Sequence, residues 1–66
     1  MPSVERYDML VEGLATIGEN KSSRFSHLAE RLLQRFYDSF GSVRGSDKEE
    51  MTFRHYERLS KLLMKR

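Results

Sequence analysis

Two short polar clusters, Gly18 to Ser23 and Gly41 to Ser46, cut this sequence into three stretches whose apolar residues recur at intervals of three and four. That spacing is the helical period, and it gathers side chains into one stripe along a helix. In the first stretch the stripe is Val4, Tyr7, Leu10, Val11, Leu14 and Ile17, with Ser3 placed to cap it and Gly18 to stop it. Gly13, inside the stretch, costs roughly 1 kcal/mol against alanine and marks a candidate close contact between helices.

The second stretch carries Phe25, Leu28, Ala29, Leu32, Leu33, Phe36, Tyr37 and Phe40. At about 100° per residue these cover an arc of roughly 180°, broad enough to touch two neighbours, so this reads as the central helix. Gly41 is its expected stop.

The third stretch opens with Ser46 followed three residues later by Glu49, the spacing of a reciprocal capping box. Lys61, Lys65 and Arg66 stand at its far end, where cations complement the helix dipole. Met51, Tyr56, Leu59, Leu62 and Leu63 form the expected inner stripe, with Phe53 and Met64 to one side of it.

No stretch alternates with the period of a strand, and β-branched residues are few, so the fold class is all-α. The expectation is one domain over residues 1–66, a three-helix bundle with helices at about 4–17, 23–40 and 47–65. A helical hairpin that completes its core in a dimer is the alternative. A chain of 66 residues buries only about 60% of its unfolded surface, which makes help from a second chain valuable.

The sequence has no cysteine, hence no disulfide framework and no thiolate metal ligand. It has no apolar run of the length that crosses a bilayer, and no basic segment leads into an apolar one at its start. An intracellular protein, cytoplasmic or nuclear, with no membrane partner is expected.

Charge is sorted along the chain. Residues 1–20 carry one arginine against Glu5, Asp8, Glu12 and Glu19, a balance of −3, whereas residues 21–66 balance at +5. Arg54, Arg58, Lys61 and Lys65 recur at four, three and four and fall within roughly 60° on a helix. Arg24, Arg31 and Arg35 form a second row, with His27 at its edge. Such rows suit phosphate binding, but a solvated face or pairing with the acidic row of the first helix is the stronger reading. The first two stretches fit a helix-turn-helix only loosely. Their turn exceeds three or four residues, and Leu14 stands where a small residue would ease the crossing.

Catalysis finds no support. His27 and His55 lack partners at metal-ligand spacing, the glycines are scattered rather than clustered in a phosphate loop, and the serines sit at helix starts. No cofactor, metal or small-molecule substrate is expected. The leading expectation is a small helical interaction module, an adaptor or regulator, that binds a protein partner or itself through helices two and three. Phe53, Met64, Tyr37 and Met9 are its candidate contact residues. The alternative is a nucleic-acid-binding domain using Arg24, Arg31, Arg35, Arg54, Arg58, Lys61 and Lys65.

Overall fold

A computed structural model describes residues 2–20 and 24–65. The expected second-helix start at Ser23, the turn residues Lys21 and Ser22, and the terminal cation Arg66 lie outside the described residues. The chain is an all-α three-helix bundle: α1 runs Val4–Glu19, α2 Ser26–Val43 and α3 Glu49–Met64. All three pairs of helices touch. No helix among the described residues is long and apolar enough to cross a membrane.

Helix α1 begins as its sequence requires, with the Ser3 hydroxyl accepting from the Arg6 backbone N–H at 3.1 Å. It runs past Gly18 to Glu19, and the Asn20 N–H closes it on the Ile17 carbonyl. Gly18 is therefore not the stop. A Cβ there would come within 2.9 Å of Glu30 Cγ, so this glycine serves the approach of α2.

Helix α2 also outruns its expected end. It passes through Gly41 to Val43, and the glycine with a positive φ is Gly45, at +81°. Gly41 meets nothing within 4 Å of an added Cβ, so it performs no turn that another residue could not.

Ser46 is used by the helix before it more than by the helix after it. Its hydroxyl donates to the Val43 carbonyl and accepts from the Lys48 N–H at 3.2 Å. The reciprocal box with Glu49 does not form, since α3 has no side-chain cap. Glu49 instead turns inward, 7% exposed, and its Oε1 has no hydrogen-bond partner among the described residues.

The core consists of Leu10, Leu14, Ala29, Phe36, Phe40, Phe53 and Tyr56. Phe36 is its hub: the rings of Tyr7, Phe40, Phe53 and Tyr56 lie 5.2–5.8 Å from it, most in tilted or edge-on geometry. The buried Tyr56 ring keeps its hydroxyl bonded to Ser39 at 3.0 Å.

These contacts fix the directions of the helices. Tyr7 meets Phe36 and Phe40 while Gly18 meets Glu30, so α1 and α2 are antiparallel. Arg6 meets Glu50 and Glu57 while Gly13 meets Ser60 and Met64, so α1 and α3 run parallel, and α2 and α3 are consequently antiparallel.

The inner face of α3 keeps Tyr56 of the expected stripe, with Leu59 and Leu63 partly buried against the core, but is rotated from the expected one. Phe53, Tyr56 and Ser60 face the core, whereas Met51 is 75% exposed and Leu62 more than half exposed. At about 100° per residue those two stand more than 150° from Phe53. Burying the largest ring decides the rotation, because its apolar area exceeds that of a methionine or leucine.

Candidate interaction surface

Arg6 is the only cation of α1 and the residue that ties α1 to α3. Its Nε and Nη2 donate to the two Glu57 oxygens, each at 3.0 Å, and its Nη1 lies 3.1 Å from the Glu50 carboxylate. The guanidinium carbon also sits 4.7 Å from the centre of the Phe53 ring. This is the two-pronged match of a planar fork to a carboxylate, about a third exposed to solvent. The hydrogen bonds from Arg6 hold the Glu57 carboxyl below its ordinary pKa, against a smaller opposing effect of desolvation, and Lys61 and Arg54 add to the lowering.

The fork defines the seam between the parallel helices. Farther along it, an added Cβ on Gly13 would lie 3.8 Å from Met64 Cε and from Ser60 Oγ, an ordinary contact. Met9 is 69% exposed and Met64 57% exposed. By helical projection Met9 stands about 40° from Gly13 on one side and about 40° from Glu5 on the other. On α3, Lys61 stands about 40° beyond Glu57, followed by Arg54, Lys65 and Arg58. The α1–α3 face thus carries methionine near its middle, carboxylates along the outer edge of α1 and cations along the outer edge of α3.

The two charged edges do not neutralise each other within the chain. Glu5, Asp8 and Glu12 make no ion pair among the described residues, and neither do Arg58, Lys61 and Lys65. Arg54 is the exception in its row, bonded to Glu50 at 3.2 Å. A shallow groove runs among Arg54, Glu57, Arg58, Lys61, Leu62 and Lys65.

The residues singled out from sequence are thereby separated. Phe53 is fully buried and cannot be a contact residue, because its ring fills the core beneath Arg6. Met9 and Met64 share the α1–α3 face. Tyr37, partly exposed, belongs elsewhere: it lines a groove with Val4, Tyr7, Phe40, Arg44 and Glu49, at the end where α1 begins and α2 finishes. Burial raises the pKa of the Tyr7 phenol in that groove, with a further rise from Tyr37.

The two basic rows are not joined. Arg31 and Arg35 are exposed on α2 and lean toward its α3 side, and Arg24 at the head of that row has its guanidinium 5.0 Å from the Phe25 ring. The α3 row leans toward α1. Among the described residues no three histidine or acidic side chains come together as a metal site.

Sequence reasoning passed over Arg6, although its signal was present. It is a lone cation in an acidic helix, and Glu50 and Glu57 are seven residues apart, hence on one face of α3. Comparison with family models, with curated proteins and with solved structures finds no match for this chain.

Proposed function

We propose that this chain is a small protein-interaction module, an adaptor or regulator, that docks its partner on the α1–α3 face. The observation that supports the reading is Met9, an exposed apolar side chain beside a seam whose two edges carry unneutralised charge of opposite sign. An adaptable apolar anchor inside a polar rim is the composition by which proteins hold one another.

The nucleic-acid reading keeps one observation in its favour, the lack of carboxylate partners for Arg58, Lys61 and Lys65. Against it stands the neighbourhood. A phosphate backbone laid along the α3 row would lie beside Glu50, Glu57 and the carboxylates of α1, and the row on α2 points to another side. Few phosphates would be engaged, and counterion release would be correspondingly small.

Affinity capture from cell extract, comparing the wild-type chain with Met9→Asp and with Tyr37→Ala, tests the proposal. The expected outcome is a protein, or a differently tagged copy of the chain, held by the wild type and by Tyr37→Ala and lost with Met9→Asp. Capture indifferent to Met9→Asp would sink it. So would binding of duplex DNA or RNA at low salt that disappears with Arg58→Glu, Lys61→Glu.

A further inference from the structure

The charge on the α1–α3 face is arranged so that the face complements a copy of itself. Level along the seam is set by two contacts: Arg6 with Glu50 and Glu57, and Gly13 with Ser60 and Met64. Glu5 is therefore level with Arg54, and Glu12 with Lys61. Within one chain these residues point away from each other, from the outer edges of two neighbouring helices. On two faces pressed together they would meet.

Only one symmetry brings them together. A two-fold axis along the seam, parallel to the helices, exchanges left for right and lays α1 of one copy over α3 of the other. Glu5 then faces the edge around Arg54, and Glu12 faces Arg58 and Lys61. Met9 lies between, against the aliphatic stems of the opposing cations. A two-fold perpendicular to the helices would place α1 on α1 and α3 on α3, carboxylate on carboxylate and cation on cation. Like charges at an interface cost enough to exclude that packing.

We propose that the occupant of this face is a second copy of the chain, in a dimer whose four interface helices all run parallel. The proposal rests on the interaction-module reading and names its partner. A 66-residue bundle with a small core gains stability from such an association by mass action.

The test uses two charge variants that replace neither a core residue nor a member of the Arg6 fork, Glu5→Lys with Glu12→Lys and Arg58→Glu with Lys61→Glu. Circular dichroism establishes that each is folded, and sedimentation equilibrium at low salt reads the association. The wild type is expected to dimerise and to weaken as salt is added. Each variant alone should associate at least about tenfold more weakly, because its face now repels itself. An equimolar mixture of the two should recover a heterodimer, since each altered edge meets its opposite.

Orientation is read from Met64→Cys. The parallel two-fold places the two Met64 positions side by side near the axis, so the oxidised variant should form a disulfide-linked dimer. A perpendicular two-fold would put them at opposite ends of a molecule 38 Å long. A wild type that stays monomeric at high concentration overturns the proposal, as does a mixture that fails to recover association. If a monomeric wild type still captures another protein in a Met9-dependent way, the interaction-module reading stands and self-association alone is rejected.

Discussion

Met51 and Phe53 lie two residues apart on α3, yet one is three-quarters exposed, at 75%, and the other is fully buried. Their substitution effects should differ accordingly. Phe53→Ala is expected to cost about 3–5 kcal/mol, comparable with the whole stability of about 3–10 kcal/mol typical of a chain this size, and the variant should be largely unfolded by circular dichroism at room temperature. Met51→Ala should change the denaturation midpoint by no more than about 0.5 kcal/mol. Both residues fit a helical stripe, and spacing alone could not say which of two overlapping stripes faces inward. The rotation of α3 away from the expected stripe is a packing outcome: Phe36 meets the Phe53 ring edge-on, and the Arg6 guanidinium lies over that ring.

Among the elements, existence and order were legible from periodicity, and the start of α1 from Ser3. The helix ends were less so, because glycine has more than one use. Gly18 makes room for Glu30, Gly41 sits inside a helix, and Gly45 alone adopts the left-handed backbone that ends α2. Gly45→Ala should therefore destabilise the fold by roughly 1–2 kcal/mol. Gly13→Ala should do the opposite, since its methyl would meet Met64 and Ser60 at ordinary distance while the helix gains up to about 1 kcal/mol of propensity. Thermal denaturation of the two variants, read side by side, checks both signs. Ser46 and Glu49 carry the spacing of a capping box, but the burial of Glu49 and the claim of Val43 on the serine hydroxyl are tertiary facts that no local pattern contains.

At the scale of the whole molecule, the face carrying Met9 was only half legible. The sorting of charge by helix was visible, whereas the parallel alignment of α1 and α3 that sets acid and base at equal levels needed the fold. The ion pairing across the seam also has the polarity opposite to the obvious one: the cation comes from the acidic helix and the carboxylates from the basic one.

This pairing gives stability a dependence on acid. The pKa of Glu57 is lowered from its ordinary 4.5 in the folded chain. Its contribution is complete above that ordinary value and is lost as pH falls through the lowered one. Urea denaturation between pH 7 and pH 3 should show a loss of stability on the acid side that is smaller in Glu57→Gln. An acid limb of unchanged depth would mean that the other carboxylates carry it.

The Arg6 fork joins residues 44 and 51 positions apart in the chain, while the remaining ring contacts of the core connect helices that are sequence neighbours or lie within α2. Closing that largest loop is expected to follow the assembly of the two antiparallel pairs around Phe36, because long-range closure carries its entropy before its contacts reward it. In stopped-flow experiments Arg6→Ala should thus unfold faster while refolding at nearly the wild-type rate, with a φ-value near zero. A slowed refolding limb would instead make the fork part of the nucleus. On the expected outcome, the residue that holds the first helix to the last acts as a latch on an already formed molecule, setting how long the native state lasts rather than how quickly it appears.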